Sequence, residues 1–361
     1  MKTVVQVVQH LRPGGIETLA LDLQTFKQPG TQHYLISLEG RRRAEVAAWP
    51  RLKPFANALI FLDKAPGFQP TLVLKLRHIL KQIHANVVHT HHIGPLIYAG
   101  LASRLAGIKA LIHTEHDAWY LQNPHQSHLR KVISALTQPI LVADAEVVAA
   151  ALRKNLKTDN IRVIRNGIDT EKFRPGSLSK ARHQLHLPYP AKLIGCCGRL
   201  EKVKGHDILI DALFRCTQQT HLALAGQGSA ETALRDQVSA LGLQDRVHFL
   251  GRVDHMPSFY HAIDLFVLPS RCEGMPLAPL EAQACGVKTI VTRVGAAEET
   301  LCPNTGRLVE KNNAKLLADS IKCMLAVTSS ISPRLFVQQK SDVRLMAQAY
   351  AALHSAEVLG V

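Results

Sequence analysis

Aromatic side chains make up only 5% of this 361-residue chain, and no stretch shows the basic and aromatic interleaving of a nucleic-acid module. A nucleic-acid surface is therefore disfavoured, although the formal net charge is +15. No apolar run approaches the ~18 residues of a membrane-spanning helix. The opening Met1-Lys-Thr-Val-Val-Gln-Val-Val is too short in apolar length for a secretory leader and reads as a strand. Cysteine is missing from the first 195 residues. The seven present run from Cys196 to Cys323, an odd number without a Cys-x-x-Cys, which fits a reducing cytosol better than a disulfide framework. Internal repeats and low-complexity tracts are also lacking.

Basic charge is plentiful and uneven. Residues 1–170 hold 21 Lys and Arg against 11 Asp and Glu, and the remainder 22 against 17. Arg41-Arg42-Arg43 with Arg51 and Lys53 is the densest cluster. Basic patches bind anionic leaflets at about 1 kcal/mol per charge. An inner-membrane surface or a lipid-linked acceptor is thus the functional reading, and a solvated basic face is the plain one.

Hydrophobic content of 47% with 20% charged residues places the chain among globular proteins long enough for two full cores. Strand-like runs at Val4–Val8, His33–Leu38, Leu59–Leu62, 86–91, 109–114 and 138–143 alternate with helical periodicity at 17–24, 71–83, 96–106 and 146–156. That alternation predicts a parallel, doubly wound α/β sheet. After the linker-like Phe173-Arg-Pro-Gly-Ser the pattern restarts: strands at 192–198, 221–225, 247–250, 264–270 and 287–292, helices at 206–214, 231–241, 256–262 and 277–285. The expected division is 1–170, 171–340 and a terminal helix in 341–361. Ligands of such sheets bind at the carboxyl ends of the strands.

The most informative segment is Glu273-Gly-Met-Pro-Leu-Ala-Pro-Leu-Glu281. It follows the buried run Asp264-Leu-Phe-Val-Leu-Pro-Ser270 and ends at Gly286, where a helix-terminating glycine belongs. One carboxylate falls on a loop at a strand end and the second in a short helix beyond it. Each can accept two hydroxyl hydrogen bonds, as the vicinal diols of a sugar or ribose require. Two Glu eight apart arise by chance about half a time in a chain of this Glu content, so the flanking strand, prolines and glycine stop carry the signal. Gly198-Arg199-Leu200 and Lys204-Gly205 form a second strand-to-helix turn. Its two cations suit a diphosphate leaving group on which negative charge grows.

These elements resemble the retaining GT-B glycosyltransferases of family 4 (glycosyl transferases group 1), whose Glu-x7-Glu element is matched by Glu273 and Glu281. The resemblance covers nearly the whole chain. It implies two Rossmann-like domains facing across a cleft, with the terminal helix packed back on the first domain. By the same resemblance Arg199 and Lys204 grip the nucleotide diphosphate, Glu281 takes the ribose hydroxyls and Glu273 lies near the sugar ring. The backbone of Gly274, Met275, Pro276 and Leu277 lines that sugar. Gly226 and Gly228 lie near the nucleotide, and so do Arg252 and Val253, whose backbone reads the base. The Pro13-Gly14-Gly15 loop, with Gly15 the best candidate, meets the donor phosphate or the acceptor. His116 in Thr114-Glu115-His116 matches a histidine beside the donor sugar.

The implied activity is transfer of a hexose from a UDP- or GDP-sugar to a hydroxyl of a glycan or lipid-linked acceptor, with retention and without a metal cofactor. A cytoplasmic location, peripheral on the membrane's inner face, accompanies that reading. Two others stay open: a GT-B-fold epimerase, phosphorylase or non-catalytic nucleotide-sugar binder, and a metallohydrolase built on His89, His91, His92, His113 and His116. For His89, His91 and His92 the favoured reading is polar residues lining a wet cleft.

Overall fold

The structure is a computed structural model that describes residues 1–327 and 331–359, so 328–330 and 360–361, which belong to the expected segments 171–340 and 341–361, lie outside the described residues. Among the described residues thirteen strands build two sheets. The first contains β1 (Lys2–Val8), β2 (Thr31–Ser37), β3 (Leu59–Phe61), β4 (Val87–His91), β5 (Ala110–Glu115), β6 (Ile140–Ala143) and β7 (Ile161–Val163), in the order β3-β2-β1-β4-β5-β6-β7. The second contains β8 (Lys192–Cys197), β9 (Thr220–Ala225), β10 (Val247–Gly251), β11 (Leu265–Leu268), β12 (Lys288–Thr292) and β13 (Gly306–Val309), in the order β10-β9-β8-β11-β12-β13. Every pairing is parallel. Strands of such sheets are buried on both faces and read as apolar runs rather than alternations. Val4, Val5, Val7 and Val8 of β1 are accordingly all buried.

Two compact units follow, residues 168–342 forming one and the flanking residues the other. The boundary falls between Gly167 and Ile168, three residues before the expected 170/171. The terminal helix Val343–Leu359 belongs to the N-terminal unit. Its Val343, Met346, Tyr350 and Leu353 pack against Val4, Leu19, Val87 and Ile112. The Tyr350 hydroxyl bonds Thr114 Oγ1 at 2.9 Å. The helix thereby covers one face of β1, β4 and β5.

Both sheets reverse winding direction beside their first strand, between β1 and β4 and between β8 and β11. Loops leaving those neighbouring strands diverge to opposite faces and open a crevice. Several elements were not anticipated: the helices Arg42–Ala48, Pro124–Thr137, Leu178–Gln184, Ala314–Ala326 and Arg334–Lys340, and strand β13. The helix expected at 96–106 starts at Ile93 and passes through a π turn at Leu96–Gly100.

Candidate active site

The β8–β11 switch point gathers the loops 198–205 and 269–277. Close backbone packing makes this possible. A Cβ on Gly226 would stand 1.9 Å from the Gly198 carbonyl oxygen, and one on Gly228 2.4 Å from that of Leu200. Gly226 also has φ +148°, a conformation side chains disfavour. These two glycines therefore seat the turn after β9 on the loop that carries Arg199. A Cβ on Gly295 would likewise collide with the Glu273 carbonyl oxygen at 1.7 Å.

Within this frame Lys204 and Glu273 meet directly. The Lys204 ammonium lies 2.7 Å from Glu273 Oε1. The hydroxyl of fully buried Ser270 donates to the same oxygen at 2.6 Å. Ser270 is itself held, its carbonyl accepting from Thr292 Oγ1 at 2.6 Å. Arg271 locks the two loops together. Its guanidinium forks onto Asp207 at 2.8 and 2.6 Å, and its amide donates to the Val203 carbonyl at 2.8 Å. Arg199 is exposed on the same loop as Lys204.

Glu281 sits in the helix Ala278–Ala284, which stops before Gly286 at φ +88°. The hydroxyl of Tyr260, buried in the helix Met256–Ala262, donates to Glu281 Oε2 at 2.7 Å. Cys197, at the end of β8, places its sulfur 3.3 Å from the same hydroxyl. Burial pushes the Cys197 thiol up to about 12, and burial pushes the Tyr260 phenol well above its usual range. Both keep their protons, so the order is thiol to phenol to carboxylate. The chain turns one face of Glu281 inward and fixes its rotamer. Tyr260→Phe removes that anchor while preserving the ring's packing against Phe173, Phe259 and Phe266. The expected result is a KM for the nucleotide ligand raised roughly tenfold, the scale of one hydrogen bond to a charged group, with kcat nearly unchanged. Steady-state kinetics check it, and an unaltered KM would remove Tyr260 from the site.

The remaining C-terminal candidates are placed more loosely. Met275 is buried, and the Gly274 carbonyl accepts from the Ala296 amide at 3.1 Å. Pro276 and Leu277 are half-buried. Arg252 forms an exposed ion pair with Asp254 at 3.0 Å, beside half-buried Val253. The Gly226 amide donates to the Gly251 carbonyl at 2.7 Å, joining that turn to the glycine pair.

In the N-terminal unit Gly14 caps the helix Gly15–Thr25, and a Cβ on Gly15 would meet nothing within 4 Å. Packing therefore does not require glycine at 15, whereas at 14 the Glu17 carboxylate fills the space. Glu17 is buried and pairs with His10 Nδ1 at 3.3 Å. The histidines correct one expectation. His89 and His91 are fully buried inside β4 rather than lining a wet cleft. A strand covered on both faces can hold them because His91 bonds through both ring nitrogens, to His116 and Gln6, and His89 through Nε2 to Thr114, leaving only His89 Nδ1 without a partner among the described residues. His92 follows at φ +70° and ψ 162°, a strained conformation for any side chain, and is half-buried. His116 is 4% exposed, with Nε2 3.0 Å from His91 Nδ1 and Nδ1 3.3 Å from Asp144 Oδ2. Among the described residues no group of three or more His, Cys, Asp or Glu is arranged to hold a metal ion.

Two family profiles account for most of the chain. "Glycosyltransferase Family 4" matches residues 13–172 and "Glycosyl transferases group 1" matches residues 179–330. The chain belongs to the family-4 glycosyltransferases. A lipopolysaccharide core biosynthesis mannosyltransferase, LpsB of Rhizobium meliloti, is 32% identical over 209 residues, 55% of this chain and 58% of that protein. A D-inositol 3-phosphate glycosyltransferase of Acidothermus cellulolyticus is 29% identical over 272 residues, 66% of this chain and 59% of that one. The chain thus spans somewhat under three-fifths of these curated relatives. Among solved structures, Anabaena Alr3699/HepE in complex with UDP superposes with a TM-score of 0.83 at 22% identity, covering 99% of this chain and 100% of that chain. The fold is GT-B.

For a family-4 chain, the residues that the sequence did not single out are Ser270, Tyr260, Arg271 and Cys197. Ser270 was visible in the motif's approach, but nothing in its spacing shows that it shares an oxygen of Glu273 with Lys204. Tyr260 lies 21 positions before Glu281, and only the neighbouring helices bring the two together.

Proposed function

We propose that this chain is a retaining hexosyltransferase using a UDP- or GDP-sugar donor and a hydroxyl acceptor on a glycan or lipid-linked sugar. The observation that carries the reading is the triad of Lys204, Glu273 and Ser270 at the switch point, with Glu281 held beside it by Tyr260. An ion pair leaving an ammonium partly exposed is a ready diphosphate site, since a polyanion competes for the cation. On donor binding Lys204 turns toward the diphosphate with Arg199, while Ser270 keeps Glu273 in place. Glu273 Oε1, relieved of Lys204 but still bonded by Ser270, then accepts a sugar hydroxyl, and Glu281 takes the ribose hydroxyls. Backbone from Gly274 to Leu277 lies along the sugar, and Gly226, Gly228, Arg252 and Val253 frame the nucleotide. His116 and Gly15 serve the transferred sugar and the phosphate or acceptor.

Charge develops on the leaving diphosphate as the glycosidic bond breaks, and two preorganised cations stabilise it there. A departing phosphate oxygen takes the acceptor proton, so the acceptor enters on the face that the leaving group vacates and configuration is retained. Because Arg199 and Lys204 neutralise the diphosphate, no divalent ion is needed, and turnover is expected to be unchanged by EDTA. Loss of turnover on chelation, restored by zinc, would favour the histidine-based hydrolase instead.

The name of LpsB, a mannosyltransferase, and the UDP complex of Alr3699/HepE support a hexose and a nucleoside diphosphate donor without choosing between bases. The excess of basic residues in the first half supports docking on an anionic leaflet at its cytoplasmic face. Among the described residues no helix is long and apolar enough to cross a membrane. The deciding experiment measures nucleoside diphosphate release from a panel of nucleotide sugars with and without acceptor. Release only with acceptor, with the product's anomeric configuration matching the donor's, supports transfer. Binding without release indicates a sensor, and interconversion of sugars without acceptor an epimerase.

A further inference from the structure

The hydrogen-bond chain around His116 fixes a proton count. Gln6 Nε2 donates to the Ala20 carbonyl at 3.1 Å, which turns Gln6 Oε1 toward His91 Nε2 at 3.2 Å. That oxygen only accepts, so His91 must carry its proton on Nε2. A neutral His91 then offers a lone pair at Nδ1, and His116 Nε2, 3.0 Å away, must donate to it. A neutral His116 with its proton on Nε2 has a lone pair at Nδ1. That lone pair faces Asp144 Oδ2 at 3.3 Å. A carboxylate oxygen there would also be an acceptor, and two buried acceptors in contact are unfavourable. Flipping the Gln6 amide only moves the clash to Ala20. The chain is satisfied when the His116–Asp144 pair binds one proton beyond a neutral ring and a carboxylate.

We propose that Asp144 is a positioning residue for the transfer reaction, sharing one buried proton with His116 that holds the ring in place. The inference rests on the reading above that His116 serves the transferred sugar. Asp144 follows β6, is 1% exposed, and accepts from Asn166 Nδ2 at 2.9 Å. The chain Gln6–His91–His116–Asp144 therefore spans β1, β4, β5 and β6 at the carboxyl end of the sheet. Neighbouring charges have been disposed of or stay weak. Glu115 on β5 is engaged by Arg130, Tyr120 and His113. On β4 and just after it, burial lowers His92 to about 4 and His89 and His91 well below their usual range, so all three are neutral. Burial raises Tyr350 of the terminal helix, which stays protonated. Asp117 is raised to about 7 by burial and by Glu115 and Asp144. Burial lowers His116 itself to about 4, and the geometry of the chain places the extra proton between His116 Nδ1 and Asp144 Oδ2.

The test uses the full chain. A proton resonance downfield of the amide envelope is expected at pH 7.5, tied to His116 by histidine-selective 15N labelling and absent from Asp144→Ala. In turnover, Asp144→Ala is expected to lose tenfold or more in kcat with an unchanged donor KM. Asp144→Asn keeps a donor toward Nδ1 without a titratable proton, so it is expected to retain most activity and to lose the alkaline limb of the wild-type pH profile. A singly protonated His116 with no such resonance overturns the proposal. So does an unchanged kcat in Asp144→Ala, or an alkaline limb that persists in Asp144→Asn. A wild-type chain that transfers no sugar removes the transfer reading and the positioning role with it, whereas the spectrum still decides whether the proton is there.

Discussion

Replacing Lys204 by alanine is expected to cut turnover at least a hundredfold, the scale of losing one preorganised charge contact to a developing anion. The structure adds a second consequence. Lys204 neutralises Glu273, which is buried to 7% exposure and otherwise held by Ser270. Removing one partner of a buried pair leaves its mate uncompensated, at a typical cost of about 3–5 kcal/mol. Here the lysine side chain is 23% exposed, so solvent screens the pair and the cost falls toward the lower end. Lys204→Ala is thus expected to lose activity and some thermal stability together. Glu281→Ala should lose comparable activity, because the proposed ribose contact and the bond to Tyr260 disappear at once. The double variant Lys204→Ala/Glu273→Gln separates the effects. It should recover stability, having no unpaired carboxylate, and remain inactive. Full turnover by any of these variants would place the chemistry elsewhere.

Acid is expected to unfold this protein well before most carboxylates titrate. Burial is the leading cause lowering His33, His113 and His206 to about 4, and His354 to about 3. All four are under 8% exposed. In the unfolded chain each titrates near 6.5. Above that pH neither state is protonated and the rings are neutral to stability. As pH falls from 6.5 toward 4, the unfolded chain takes up protons that the folded chain refuses, and stability drops. Each ring contributes a slope of about 1.4 kcal/mol per pH unit. Two units below 6.5, four rings remove on the order of 10 kcal/mol, against a typical total of about 5–15 kcal/mol. Asp117, raised to about 7, acts in the opposite direction. The folded chain holds its proton between about 7 and the unfolded carboxyl value, which offsets roughly one ring. Glu115, lowered to about 2 chiefly through His113, Arg130 and Tyr120 against its own burial, adds acid sensitivity only below about pH 4.5. Thermal midpoints measured from pH 7.5 to 5 should therefore fall steeply below 6.5, and His33→Leu should shallow that slope by about one proton. A flat profile down to pH 5 would mean that these rings are not buried and neutral.

Much of the architecture was legible because parallel strands buried on both faces leave a strong local trace. Val4–Val8 and Asp264–Ser270 are apolar runs closed by turn residues, and the structure places strands in both. What escaped has physical reasons. Strand β13 is four residues long, contains Arg307 and is defined only by pairing with β12. The helix Pro124–Thr137 contains three histidine or glutamine residues in its first turn and a half, and its exposed Leu129, Val132 and Leu136 blur the apolar face.

The local order of residues was enough to assign two doubly wound sheets, the family, and a C-terminal region rich in cations and acids. Strand periodicity and the spacing from Glu273 to Glu281 are short-range properties that survive without knowledge of neighbours. Tertiary packing alone decided that Lys204 rests on Glu273, that Tyr260 holds Glu281, and that His116 faces inward to His91 and Asp144. Those partners are separated by between 21 and 69 positions in the chain. Side-chain hydrogen bonds depend on distances of a few ångströms, and such distances exist only after separate strands have been laid side by side.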